Sequence, residues 1–218
     1  MMIGGVTAVG ASGGDAGIAL DPRVVLTELL AENARFAAGE EARASGFKER
    51  REALAKGQKP KAVVLTCSDS RVSPELIFGQ GLGDLFVIRN AGNVLDPHVT
   101  GSIEYAVGHL GAPLILVVGH ERCGAVGAAV ADEHAEGKIG CIVTAISPAV
   151  EIARERGEAD LVDATVRVHA RRMAEHLREA GPIISEAVKS GRVRVIAARY
   201  DLDTGLVEVL AEDGDAVT

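Results

Sequence analysis

Ala62-Val63-Val64-Leu65-Thr66-Cys67 is a six-residue apolar run rich in β-branched side chains. It shows no polar alternation, which is how a strand buried on both faces reads. Leu85-Phe86-Val87-Ile88-Arg89 and Leu114-Ile115-Leu116-Val117-Val118 have the same character. Between these runs, Ser73-Pro74-Glu75 opens a short helix and residues 101–110 form a longer one. Strand, helix, strand, helix, strand predicts an α/β fold: a mainly parallel β-sheet, joined by crossovers and flanked by α-helices.

Working outward, Asp21-Pro22 is a helix start, with Asp as N-cap and Pro at the first helical position. Val25, Leu26, Leu29, Leu30 and Phe36 recur at roughly helical spacing, and Gly39 ends that element. A second helix is expected over 47–56, stopped by Gly57. Beyond Gly124 the pattern is mainly helical: 125–134, 141–155 with Ser147-Pro148 as a bend or break, and 160–179. In the last, Val162, Val166, His169, Met173 and Leu177 share one side, and Gly181-Pro182 ends it before a short helix. Residues 193–199 and 206–210 read as two strands joined by a turn at Asp203-Thr204-Gly205.

The chemistry falls where the strands end. Cys67-Ser68-Asp69-Ser70-Arg71 leaves the first run, and His120-Glu121-Arg122-Cys123 follows the third. Ligand sites in open α/β sheets lie outside the carboxyl ends of the strands. His120 and Cys123, three apart, can share one face of a loop entering a helix. Cys67, His120 and Cys123 offer three zinc ligands, which leaves a fourth tetrahedral position open, as in a catalytic rather than a structural centre. Zinc with an open position makes hydroxide available near neutral pH, so the reading is a zinc hydro-lyase or hydrolase.

Competing readings fit less well. A cysteine phosphatase loop has five residues between Cys and Arg, whereas Cys67 and Arg71 have three between them and no glycine. A structural zinc site would need a fourth Cys or His, and Cys141 has no supporting spacing. Cys141 is expected to be a buried small hydrophobe. Three buried residues without a common role would not carry an Asp-x-Arg beside the first cysteine.

The chain resembles the β-class carbonic anhydrases. The resemblance rests on Gly57-Gln58-Lys59-Pro60, Cys67-Ser68-Asp69-Ser70-Arg71-Val72, Arg89-Asn90-Ala91-Gly92-Asn93, Gly101-Ser102-Ile103-Glu104-Tyr105-Ala106-Val107 and Gly119-His120-Glu121-Arg122-Cys123-Gly124. Ala198-Arg199-Tyr200-Asp201-Leu202-Asp203-Thr204-Gly205 is similar to the family's last strand and turn. The resemblance implies a lyase, carbonate dehydratase, that hydrates carbon dioxide reversibly to bicarbonate and a proton. It implies one Zn2+ per chain on Cys67, His120 and Cys123, with Asp69 and Arg71 as a catalytic dyad beside the water to be activated. Gln58 matches a position that hydrogen-bonds substrate, often across a dimer interface, and Phe86 and Tyr105 match walls of the apolar pocket. The Gly124 N–H is a further candidate donor. Self-association as a dimer or tetramer is implied. Alternatives on the same scaffold are a carbonyl sulfide or carbon disulfide hydrolase, and a non-catalytic zinc-binding sensor module.

Some family members close the site by turning the Asp onto zinc, supported by bicarbonate in a pocket of Trp, Arg and Tyr. Arg89 and Tyr200 match two of these, but Val64 stands at the Trp position and the chain contains no Trp. An open site near neutral pH is therefore expected, with Asp69 on Arg71. Arg89 is then left with an interface or strand-end ion pair.

The rest of the chain narrows the partners. A net charge of −8 without a basic block argues against nucleic acid as the main partner. No run approaches ~20 apolar residues, so no membrane span is expected. Three cysteines in 218 residues are not a disulfide framework, and this usage fits a reducing, cytoplasmic setting. Residues 1–20, rich in Gly, Ala and Ser without Lys or Arg, are expected to be a flexible N-terminal arm rather than a secretory signal. Residues 21–218 are expected to form a single zinc-dependent catalytic domain.

Overall fold

The computed structural model describes residues 20–40, 46–131 and 135–210. The expected arm lies outside these residues except for Leu20, as do the last three residues of the helix expected over 125–134.

Helix α1 (Pro22–Ala37) starts as its sequence demands: the Asp21 carboxylate accepts from the Arg23 N–H at 2.8 Å. Helix α2 (Phe47–Leu54) buries none of its side chains. The five strands are β1 (Ala62–Cys67), β2 (Leu85–Asn90), β3 (Leu114–His120), β4 (Arg194–Tyr200) and β5 (Val207–Val209). They form one sheet in the order β2-β1-β3-β4-β5, parallel except for the antiparallel β4–β5 pair. The connecting helices are α3 (Pro74–Ile77), α4 (Pro97–Gly108), α5 (Gly124–Val130), α6 (Ile139–Arg156), α7 (Leu161–Glu179) and α8 (Gly181–Lys189).

The central strands bury both faces, as their continuous apolar runs require. Val63, Leu65, Ile115, Val117, Val195 and Ala197 face α4, α7 and α8. Val64, Leu116, Val118, Ile196, Ala198 and Tyr200 face α1 and α3. Asn33 ties α1 to the hairpin: its side-chain amide donates to the Gly205 carbonyl at 2.9 Å, and its oxygen accepts from the Val207 N–H at 2.7 Å. On the opposite face α7 comes close to β3 because residue 119 is glycine. A Cβ there would meet Val166 Cγ1 at 2.8 Å.

Several elements differ from expectation, each for a local reason. Helix α4 begins at Pro97, ahead of residue 101, because Asp96 caps it by accepting from the His98 and Val99 N–H groups at 2.7 and 2.9 Å. Helix α6 runs unbroken through Pro148. Proline removes one backbone bond, but Ile146, Ala149, Val150 and Ala153 bury the surrounding face. Cys141 is exposed rather than buried. It lies five residues before Ile146, roughly 140° around the helix at 3.6 residues per turn. Strand β2 is only half buried, because it is the edge strand of this chain's sheet.

Candidate metal centre

Strand β1 lies between β2 and β3, so the chain leaves it toward both sides of the sheet and a crevice opens at the strands' carboxyl ends. Cys67 is the last residue of β1 and His120 the last of β3. Cys123 is the N-cap of α5. The three are buried, and their candidate ligand atoms all lie within 4.8 Å of one another.

The donor set fits zinc. His120 Nδ1 lies 2.9 Å from the Glu121 carbonyl. A carbonyl only accepts, so Nδ1 carries the proton and Nε2 keeps its lone pair. That buried Nε2 has no hydrogen-bond partner among the described residues. The two cysteine sulfurs are 4.0 Å apart. Tetrahedral zinc with Zn–S bonds of ~2.3 Å separates two sulfurs by about 3.8 Å. Without metal, Cys67 is the thiolate of the pair: the thiol of Cys123 donates to it and holds it well below the usual range, against the cost of burial. The N–H groups of Gly92 and Asp69 add to that lowering. The Cys123 thiol is pushed up, first by donating to Cys67 and then by burial.

Asp69 stands at the rim, with Oδ2 3.8 Å from His120 Nε2. Arg71 grips it bidentately, Nε on Oδ1 and Nη2 on Oδ2, and the Arg71 N–H adds a bond to Oδ1 at 3.0 Å. These bonds hold the Asp69 carboxyl well below the ordinary carboxylate range. Arg89 forms no strand-end ion pair among the described residues. Its Nε donates to the Cys67 carbonyl at 3.1 Å and its Nη2 to the Asp69 carbonyl at 2.7 Å, so it clamps the loop that carries both residues.

The His120–Cys123 loop is braced from behind. Arg122 adopts a left-handed conformation, φ 49°, unfavourable for a side chain of its size. Its guanidinium is held by both oxygens of Asp203, at 2.8 and 2.6 Å. Glu121 donates its N–H to the Tyr200 carbonyl at 2.9 Å, and its Oε2 accepts from the Leu202 N–H at 3.1 Å. Arg199, nearly buried, pairs with Asp163 and Asp201 and lies 3.8 Å from Glu121.

The structure brings Cys67, His120, Cys123, Asp69 and Arg71 together in one chain. Gly124 is exposed at the start of α5, where an added Cβ would meet open space. Gln58 is exposed and lies four residues before β1, whose two ends are roughly 17 Å apart at ~3.3 Å per residue with Cys67 at the far one. Phe86 pairs in register with Val63, four residues before Cys67. Its ring lies 6.4 Å from that of Tyr105, which is 48% exposed. Gln58, Phe86 and Tyr105 therefore do not line this chain's own crevice. Sequence reasoning missed the bracing roles of Asp203, Glu121 and Arg199 and the contact of His169 with Gly92. Arg122's positive φ leaves no local signal, nor do partners 77 to 81 residues away for Asp203, Glu121 and His169 and 36 residues away for Arg199 and Asp163.

Comparison with known proteins gives the same direction. A description of the carbonic anhydrase family matches residues 62–207. The chain is 42% identical over 177 residues to carbonic anhydrase 2 of Mycobacterium tuberculosis, covering 79% of this chain and 85% of that protein. It is 40% identical over 187 residues to the carbonic anhydrase of Mycolicibacterium smegmatis, covering 84% and 90%. Among solved structures, one of two tetrameric β-carbonic anhydrases from Sordaria macrospora aligns with a TM-score of 0.70 at 26% identity, over 87% of this chain and 98% of that one. The Coccomyxa β-carbonic anhydrase in complex with acetazolamide aligns with a TM-score of 0.67 at 27% identity, over 87% and 83%.

Proposed function

The chain belongs to the carbonic anhydrase family, and we propose from that premise how its residues share the reaction. The reaction is the reversible hydration of carbon dioxide to bicarbonate and a proton, and the cofactor is zinc, one per chain. The observation that carries this reading is the His120 Nε2 lone pair facing two buried sulfurs, with an ionised carboxylate turned to the open side.

Cys67, His120 and Cys123 hold the metal. Bound there, zinc supplies the Lewis acidity that makes hydroxide available near neutral pH. Two thiolates offset the formal charge of the ion, so the site relies on orientation more than a three-histidine site does. Asp69 Oδ2 would accept a hydrogen bond from the reacting hydroxide and so orient an oxygen lone pair toward the carbon of CO2. Arg71 keeps that carboxylate ionised and fixes its direction. The net reaction, CO2 and water giving bicarbonate and a proton, would release that proton to solvent past Asp69 at the rim. The Gly124 N–H, in the first turn of α5, would donate to a substrate oxygen.

Gln58, Phe86 and Tyr105 reach substrate in our reading from a second copy of the chain. Support comes from the half-exposed apolar β2 edge, which an isolated chain leaves unpaired. The exposed Tyr105 beside Phe86 points the same way. The assembly is a dimer or a tetramer of dimers, working in the cytoplasm, where its three free thiols stay reduced. Among the described residues no helix is long and apolar enough to cross a membrane.

Stopped-flow CO2 hydration by the purified protein, with carbonyl sulfide as a competing substrate, tests the reading. Rapid hydration with little carbonyl sulfide turnover is expected. Preferential hydrolysis of carbonyl sulfide would contradict it.

A further inference from the structure

Behind the metal centre, one glycine is bound from two directions. The Gly92 N–H donates to Cys67 Sγ at 3.3 Å, and the Gly92 carbonyl accepts from His169 Nε2 at 2.9 Å. Gly92 lies in a single 3₁₀ turn, Ala91–Asn93, directly after β2. Its φ of 71° and the tight surroundings confine it: a Cβ would meet Ile146 Cδ1 at 2.8 Å and Ala125 Cβ at 3.2 Å. The ends of the turn are tied by Asn90, whose side chain bonds both the N–H and the carbonyl of Val94 at 2.9 Å. His169 supplies the side-chain bond to the middle of the turn.

His169 sits on α7 and is 1% exposed. Because a carbonyl only accepts, Nε2 must carry the proton. Nδ1 is then an acceptor, and it has no partner among the described residues. Burial pushes the imidazole down to about 4, so it stays neutral in the donor tautomer at ordinary pH. An apolar side chain would fill this core position without leaving a buried nitrogen unpaired. What a histidine adds here over an apolar side chain is the bond to Gly92. The same helix presses Val166 against Gly119, next to the ligand His120. Val166 also packs in the cluster that contains Cys67 and Cys123.

We propose that His169 is a positioning residue for the zinc centre, holding Gly92 so that its amide points at Cys67 Sγ. The inference rests on the zinc reading above and adds a residue that touches neither metal nor substrate. An N–H···S bond fixes the thiolate's direction and draws electron density from it. Zinc bound there is left more acidic, which offsets the weakness of a two-thiolate site.

The test compares His169→Gln with His169→Met, two side chains of similar length and volume of which only glutamine can donate. Zinc affinity is measured by competition with a chromogenic chelator, and the thiolate-to-metal charge-transfer bands are recorded on the cobalt(II) forms. His169→Gln is expected to match the parent. His169→Met is expected to bind zinc about 10–100-fold more weakly, with shifted charge-transfer bands. In the parent loaded with NMR-active cadmium, scalar coupling from the metal to the Gly92 amide proton is expected across the N–H···S bond. Should His169→Met fail to fold, the same coupling is measured in His169→Leu, where its loss is expected and its survival would overturn the proposal. Absence of the coupling in the parent, parental affinity and spectrum in His169→Met, or equal weakening in both variants would overturn the proposal. A parent that binds no zinc would overturn the proposed function with it, whereas a zinc-replete parent with unaffected variants would remove only the role of His169.

Discussion

Asp69 Oδ2 lies 2.7 Å from Arg71 Nη2 and 3.8 Å from His120 Nε2, so one carboxylate oxygen answers both to the guanidinium and to the metal position. Asp69→Asn preserves shape but loses the ionised acceptor. Turnover is expected to fall about 10²–10³-fold, the scale of removing one preorganised electrostatic group. Zinc content should stay at one per chain. Steady-state CO2 hydration at pH 8 with parallel metal analysis checks this, and wild-type turnover would remove Asp69 from the mechanism.

Arg89 bears on regulation. Its guanidinium is committed to the Cys67 and Asp69 carbonyls. Tyr200 lies three strand spacings away, roughly 14 Å at ~4.8 Å each, and Val64 between them is buried and apolar. A bicarbonate pocket between Arg89 and Tyr200 would have to break the clamp. Hydration at pH 7–8 is therefore expected to show simple hyperbolic, non-cooperative inhibition by added bicarbonate. Sigmoidal inhibition, or a crystal structure with Asp69 on the metal, would contradict this.

Arg199 is a stability residue. It is nearly buried between Asp163 and Asp201, whose carboxylates are partly exposed. Arg199→Met would take the guanidinium from Asp201 and leave Asp163 with Arg167 as its remaining partner. The expected loss lies at the lower end of ~3–5 kcal/mol, because solvent screens part of the uncompensated charge. Urea denaturation at pH 7 measures it, and unchanged stability would show that the network contributes nothing.

His169 also sets a pH window. Its folded value, about 4, lies below its ordinary 6.5, so between these values the unfolded chain binds more protons than the folded one. Stability from this group is therefore complete above about 6.5 and is lost as pH falls toward 4. The full drop corresponds to roughly 3 kcal/mol. Asp69 and Asp201, both depressed by arginine hydrogen bonds, act in a lower window, below the ordinary carboxylate value. Chemical denaturation at pH 7 and pH 4.5 should show a smaller decline for His169→Gln than for the parent. Equal declines would mean that His169 is not buried neutral.

What could be read from sequence follows from range. The strand runs at 62–67 and 114–118, the helix start at Asp21-Pro22 and the Cys67–Asp69–Arg71 group depend on neighbours a few residues apart, and the structure has them. The misplaced start of α4 and the bend expected at Pro148 reflect the limits of local signals. An unweighted Asp96-Pro97 cap outranked the apolar pattern, and a buried helix face outweighed one proline. The burial of Cys141 failed because residue type says nothing about helix phase. His169 could be read only as one member of an apolar stripe, since its partner Gly92 is 77 residues away. Gln58, Phe86 and Tyr105 were legible only by resemblance, and their distance from this chain's own crevice is why we propose that they serve a second copy.

The central claim is that zinc held by Cys67, His120 and Cys123 carries the hydration of CO2. The most direct measurement is CO2 hydration rate against zinc content, taken on protein stripped by chelation, on the same protein titrated with zinc, and on Cys67→Ser. Activity is expected to vanish on stripping and to return linearly up to one zinc per chain, with Cys67→Ser near-inactive throughout. Full activity in exhaustively stripped protein, or in Cys67→Ser, would contradict the account.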